Sequence, residues 1–367
     1  MLYLYPAATT PVRPEAREVM YPFLADAFGN PSGMHAVSRR AKNAIVEARE
    51  RAATLLGAAH PLEIVFTGGG TESDNLGVAG PVIGSLGAGV ATTAIEHEAV
   101  LETARFLGRL GHPLHVAGVD TSGVVDTEAL VAAVDGETRL VSVMAANNET
   151  GVIQPVAKIA AAVHRKVPGA VVHTDAVQAF VSEPVTVDHL GADLISLASH
   201  KVGGPKGVGL LYVRDGITLE PVLHGGGQER GRRSGTHDVA GIVGMVAALE
   251  AAAADRSRFR SDVASARADF ERRVLAALDA TITGSGAQRL VQHSHLRLRG
   301  IEAETMVVRL DQAGVAVSAG SACQSGAVEI SHVLAAMGMD PTAAAECLRF
   351  SFGWTSTPDD GARAAEA

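Results

Sequence analysis

The chain has 367 residues, 47% of them hydrophobic and only 4% aromatic, which supports a substantial core and, on length, about two domains. With 40 acidic against 31 basic side chains the net charge is -9 and no block of Lys or Arg stands out, which argues against direct binding to nucleic acid or to an anionic membrane. Cys323 and Cys347 are not spaced as a CxxC pair and are too few for a disulfide framework, so a reducing compartment, the cytoplasm, is expected.

The opening "MLYLYPAATTPVRPEAREVM" reaches prolines and charges before any apolar segment of leader length, so it reads as no signal peptide, and no run reaches transmembrane length. Short apolar strand candidates follow in order: "LEIVFT" (62–67), "GVATTA" (89–94), "LHVAGV" (114–119), "RLVSVM" (139–144), "AVVHTD" (170–175), "ADLISL" (192–197) and "VGLLYV" (208–213). Amphipathic stretches such as "EAVLETARFLGRL" and "PVAKIAAAVHRKV" lie between them. The alternation predicts an α/β fold with a mostly parallel seven-stranded sheet covered by helices, and ligands gather at the carboxyl ends of such strands. From about Asp238 a long Ala-rich helix runs to "RRVLAAL", and strands resume near "SHLRLRG" and "GVAVSAG". This reads as a bridge into a smaller α+β domain.

Several segments carry residues with chemistry in them. "FTGGGTESDN" (66–75) puts a glycine run, Gly70 included, between a strand and a helix start, an arrangement that binds phosphate; the alternative is an ordinary turn with Thr71 as N-cap. "HTDAVQ" (173–178) ends a strand on Asp175, which needs a cationic partner if buried, or caps the next helix. "LASHKVGGPKGVGL" (197–210) places Lys201 behind His200, with glycines at 203, 204, 207 and 209 that would leave room for a planar ligand. A desolvated lysine there is a Schiff-base nucleophile; a solvated strand-end lysine is the alternative. Phosphate cradle, buried aspartate and lysine on successive strand ends together describe a pyridoxal phosphate site. His97, in "IEHEAV", is structural or stacks on the cofactor ring, and no ligand spacing supports a metal. Cys323 lies among small residues in "SAGSACQSG" and favours a reactive role, whereas Cys347, on a helical pattern in "AAAECLRF", reads as a buried hydrophobe. Arg349, in "LRFSFG", is either a core-edge residue or a clamp for a substrate carboxylate.

Taken together, "AATTPV", "FGNPSGMH", "TESDN", "EHEAV", "NNETGV", "HTDAVQ", "SHKVGGPKGVG", "HGGGQERGRRSGT" and "GSACQSG" occur in the order and approximate spacing of the cysteine desulfurases, within the class V pyridoxal-phosphate aminotransferases, and the chain resembles them over nearly its whole length. The resemblance implies a type I, aspartate-aminotransferase-like fold, with a large domain over residues 15–250 and a small one from 1–14 and 251–367 that carries the Cys323 loop. It implies that Lys201 bonds the cofactor aldehyde as a Schiff base, Asp175 pairs with the pyridinium nitrogen, Gln178 bonds the ring hydroxyl oxygen, and His97 stacks on the ring. Gly70, Thr71 and His200 would take the phosphate, Thr236 that of the opposite subunit of a homodimer. Asn148 and Arg349 would hold the carboxylate of L-cysteine, and Cys323 would accept its sulfur as a persulfide for a protein acceptor, an iron-sulfur scaffold or a tRNA thiolase. The alternative within the fold is another carbon-sulfur or selenocysteine lyase, which needs Lys201 but not Cys323. The chain departs from the pattern at Tyr5, where an aspartate is usual, at Ala198, where a phosphate-binding serine is common, and in a shorter C-terminal segment, where relatives carry a tail that helps dock scaffold partners. The spacing of "GSAC" and "QSG" suits the longer-loop group of desulfurases.

Overall fold

The computed structural model describes residues 1–319 and 330–367, so Cys323 lies outside the described residues. Strand β1 (Leu2–Tyr3) is followed by β2 (Ile64–Thr67), β3 (Gly89–Thr93), β4 (Leu114–Ala117), β5 (Thr138–Ser142), β6 (Val171–Asp175), β7 (Leu194–Ala198) and β8 (Gly209–Val213), then by β9 (Ala280–Ile282), β10 (His293–Leu298), β11 (Val315–Ala316) and β12 (Cys347–Ser351). The seven expected strands, β2 to β8, form one sheet in the order β2-β8-β7-β6-β5-β3-β4. Its strands are parallel except β8, which runs antiparallel to both neighbours.

These strands are apolar on both faces because helices cover both. Along β8, Leu210 and Tyr212 face one cluster, with Phe66, Val172, Ile195 and the helices Ala36–Leu56 and Val156–Lys166; Leu211 and Val213 face the other, with Val90, Leu140, Leu194 and the helices Gly70–Ala79 and Glu98–Arg109. A separate core gathers Leu2, Leu4, Leu296, Leu348, Phe350 and Phe352 around Phe270, whose ring centroid is 4.7 Å from that of Phe350. It lies on the antiparallel sheet β12-β10-β9 and the β1-β11 pair. The long helix Val239–Ala277, capped by the Asp238 side chain accepting from the Gly241 N–H at 2.9 Å, gives Ile242, Met245 and Leu249 to the first core and Phe259, Val263 and Phe270 to this one. Among the described residues no helix is long and apolar enough to cross a membrane.

One expectation is corrected and another is narrowed. Cys347 opens β12 instead of lying on a helix: the preceding helix stops at Ala344, and the alternation in "CLRFS" wins over the helical spacing upstream. Three of the four glycines after Lys201 make room for protein, while Gly207 (φ +79°) has open space beside it. Gly203 (φ +90°) packs on the Arg13 side chain, Gly204 on Ser199, and a Cβ at Gly209 would lie 2.5 Å from the Gly69 carbonyl carbon. Gly209→Ala should therefore lower stability by about 1–3 kcal/mol by pushing against the Gly68–Gly70 backbone. Gly108→Ala, in a helix where the nearest atoms to a new Cβ are 3.7 Å away, should raise it by up to ~1 kcal/mol. Thermal unfolding midpoints check the pair, and equal shifts would contradict the packing described.

Candidate active site

Lys201 ends the short 3-10 turn Ser199–Lys201 that follows β7. Its ammonium donates to the Ala8 carbonyl at 2.9 Å and to that of Ala7, both in the N-terminal arm. Burial, helped by the charge of Arg349 and opposed by Asp175, pushes its pKa down to about 8. Lys206 is exposed. One strand over, Asp175 ends β6 opposite Ser196 of β7. It is buried, Oδ1 accepts the Val177 N–H at 2.9 Å, and burial pushes its pKa above the ordinary carboxylate range against the pull of His97 and Lys201. Gln178 donates from Nε2 to the Ala7 carbonyl at 3.0 Å, so one carbonyl of the arm serves both Gln178 and Lys201.

Within the glycine run Gly69 (φ +149°) is the N-cap of the helix Gly70–Ala79. Thr71 is therefore not the cap; it sits exposed in the first turn, because only glycine takes the cap's backbone angle readily. A Cβ at Gly70 would stand 3.1 Å from that of Ala198, so the site of the expected serine is filled by a methyl against the cradle and adds no donor. His200 contacts Thr9 Oγ1 through Nδ1 at 3.1 Å and is held neutral, its pKa pushed down to about 4 by burial and by Lys201. His97 is a cap as well as a strand-end group: its Nδ1 accepts from the Ala99 N–H at 3.1 Å at the start of Glu98–Arg109. Thr236 lies exposed on a loop anchored by the buried Glu229, which takes a bidentate pair from Arg49 at 2.7 and 2.6 Å and a contact from His237 at 2.7 Å. Although burial opposes it, these hydrogen bonds hold Glu229 down to about 2. They also support the left-handed backbone at Glu229 and Arg230 (φ 48° and 61°).

Arg349, 6% exposed on β12, donates through Nη1 to the main-chain carbonyl of Asn148 at 2.9 Å. The structure thus places Arg349 and Asn148 side by side, and behind them stand several buried polar groups to which the sequence assigned no role. Glu96 Oε1 accepts from Thr93 Oγ1 at 2.7 Å and the Met144 N–H at 2.8 Å, and burial pushes its pKa up to about 8. His173 bridges Ser142 at 2.8 Å and Ser196 at 2.9 Å and stands 3.7 Å from Asp74, whose pKa burial and Asp175 raise. Glu149 accepts from Ser331 Oγ at 2.6 Å. All sit inside motifs visible in the sequence, but only the fold shows them to be buried.

Among the described residues no cluster of His, Cys, Asp or Glu could hold a metal. The donor set fits pyridoxal phosphate. Asp175 is a buried carboxylate that takes no hydrogen bond from a cationic group among the described residues, and so suits a protonated ring nitrogen; the Gly69–Gly70 helix start suits a phosphate; and Lys201, with lowered basicity, suits an aldehyde.

The family model described as aminotransferase class-V matches residues 2–362. The chain is 41% identical over 362 residues to the cysteine desulfurase IscS of Dictyoglomus turgidum, covering 98% of this chain and 91% of that one. It is 42% identical over 362 residues to a cysteine desulfurase of Gluconacetobacter diazotrophicus, covering 98% and 90%. Among solved structures, a NifS-like protein superposes with a TM-score of 0.92 at 36% identity, covering 100% of this chain and 97% of that one. SspA in complex with cysteine does so with a TM-score of 0.85 at 34% identity, covering 96% and 99%.

The buried polar groups set the response to pH. His173, His293 and His295 are each pushed down to about 3, burial being the largest cause. Their unfolded pKa, near 6.5, is higher, so below that pH the unfolded chain binds more protons, and the stability they contribute is lost as pH falls from ~6.5 towards ~3. Glu96 acts in the opposite sense: its folded pKa is raised, so its contribution is lost as pH rises from ~4.5 to ~8. A His295→Asn variant should lose about 2 kcal/mol less than the parent between pH 7 and pH 5, measured by urea unfolding. An unchanged difference would mean that His295 is not neutral in the folded chain.

Proposed function

Because the chain belongs to the class V aminotransferases and, within them, to the cysteine desulfurases, we propose that it converts L-cysteine to L-alanine with Lys201 and Asp175 holding pyridoxal phosphate and Cys323 accepting the sulfur. The observation that carries this assignment is the buried lysine beside a buried carboxylate on neighbouring parallel strand ends. When bound, the cofactor supplies an electron sink for negative charge developing at the substrate Cα. Lys201, with a pKa near 8, holds the cofactor and moves the proton at Cα. Asp175 keeps the ring nitrogen protonated, Gln178 bonds the ring oxygen, and His97 covers the ring face. Gly70, Thr71 and the neutral His200 take the phosphate, without help from Ala198. Arg349 and Asn148 fix the substrate carboxylate so that its thiol reaches Cys323. The substrate Cβ–S bond breaks, a sulfur–sulfur bond forms on Cys323, and Cβ takes a proton to give alanine; the enzyme thiol ends as a persulfide.

The same reading makes the chain a homodimer in which the exposed Thr236 of each subunit completes the other's phosphate site, and a cytoplasmic protein that passes sulfur to an iron-sulfur scaffold or a tRNA thiolase. A large domain over 15–250 and a small one from 1–14 and 251–367 agree with the separate core around Phe270.

Lys201→Ala should abolish the visible absorbance of lysine-bound cofactor, and Lys206→Ala should leave it intact. Cys323→Ala should keep cofactor and bind L-cysteine, yet form alanine only near background. Cys347→Ala, deleting a buried thiol that contacts the Ala343 carbonyl at 3.3 Å, should retain the chemistry at a stability cost of roughly 1 kcal/mol. Alanine assay with mass spectrometry of the enzyme reads all of these. Full alanine output without Cys323 would favour the lyase alternative.

A further inference from the structure

Arg349 is a buried cation with an incomplete set of partners. Among the described residues no carboxylate lies within salt-bridge distance of it, Nη1 is used by the Asn148 carbonyl, and Nε is buried with no acceptor. Beside it on β10, His293 and the register partner His295 are buried and neutral, and supply no countercharge. Such a group is costly unless its free edge meets an anion. Glu149 attracts it from beyond pairing distance, and among the described residues the contact that answers its charge besides the Asn148 carbonyl is an aromatic face: the Arg349 Cζ lies 5.6 Å from the centroid of the Tyr5 ring.

The arm holds that ring in place. The Leu4 N–H donates to the Ala316 carbonyl at 2.9 Å, the Ser351 N–H donates to the Leu4 carbonyl at 2.9 Å, and the Ala8 N–H closes a turn on the Tyr5 carbonyl at 3.0 Å. Tyr3 packs edge-on against it at 6.4 Å. An aromatic face attracts a guanidinium without using its in-plane N–H donors, whereas a carboxylate, the residue expected at this position, would pair with those donors directly.

We propose that Tyr5 is a positioning residue for the substrate: its ring face supports the Arg349 guanidinium and leaves the unpartnered Nε edge free for the carboxylate of the amino-acid substrate. This rests on the assignment of Arg349 to that carboxylate. The phenol hydroxyl has no part in it, so the aromatic ring alone is required.

The test uses the holoenzyme, with L-cysteine kinetics, binding of the product L-alanine followed by cofactor absorbance, and binding of cysteamine, which is cysteine without its carboxylate. Tyr5→Phe should stay within about twofold of the parent. Tyr5→Leu should raise KM for L-cysteine and weaken L-alanine binding about tenfold, with kcat and cysteamine binding little changed. Pentafluorophenylalanine placed at position 5 keeps the shape and removes the negative ring face, so it should behave as Tyr5→Leu even if the leucine variant unfolds. Parent-like L-alanine binding in the fluorinated enzyme, or equal loss of L-alanine and cysteamine, would overturn the role of Tyr5 while Arg349→Gln still weakens L-alanine. Unchanged L-alanine binding in Arg349→Gln would instead remove the Arg349 assignment, and the proposal with it.

Discussion

An ammonium group kept from water at the carboxyl edge of a parallel sheet constrains most of what surrounds it. Burial, with help from Arg349, brings Lys201 down to about 8, and the chain's first residues cross over it, the carbonyls of Ala7 and Ala8 accepting from its ammonium. That arm is held from many sides. β1 pairs with β11, the Ala7 N–H donates to Ser351 Oγ at 2.9 Å, and the Thr10 N–H donates to the His200 carbonyl at 3.0 Å. Arg13 finishes the closure: its Nε donates to the Val202 carbonyl at 3.1 Å, Nη1 meets Asp255 at 3.1 Å, and its guanidinium stacks over Trp354 at 5.0 Å. Residues of both cores thus converge on one short segment, and the basicity of the lysine is a property of that convergence.

The sheet was legible in the sequence because its strands are covered on both faces, and each becomes a short, nearly unbroken apolar run set between amphipathic helices. The residues at the strand ends were legible for a related reason. A lysine or aspartate that terminates such a run has nowhere to go but the sheet's edge, as Lys201 and Asp175 do. The purpose of the glycines was not legible, since a pattern states that a Cβ is missing but not what occupies the space. At Gly209 the occupant is the Gly69 backbone, and at Gly203 it is Arg13, distant in sequence. The alternative of Thr71 as a cap does not hold because Gly69 takes that place, and Cys347 stands on a strand despite the alanines before it. At Gly203 and Gly209 the missing information is a tertiary contact that local spacing does not encode.

The same limit hid the acids behind the site. Asp74, Glu96 and Asp175 are all buried and influence one another, so ionising all three would place like charges together in a medium that screens them poorly. Their surroundings divide them. Glu96 has a hydroxyl and an N–H to satisfy it but no cation, and remains a neutral acid up to about pH 8. Asp74 faces His173, which is itself kept neutral and so offers no charge. Asp175 alone feels both Lys201 and His97. Burial raises all three, but only at Asp175 do cations pull the other way, which favours negative charge on the carboxylate nearest the lysine, where a cationic ring nitrogen would meet it. A second ionised acid in the group would repel that charge and weaken the pairing, and the burial that raises Glu96 to about 8, and Asp74 as well, works against one.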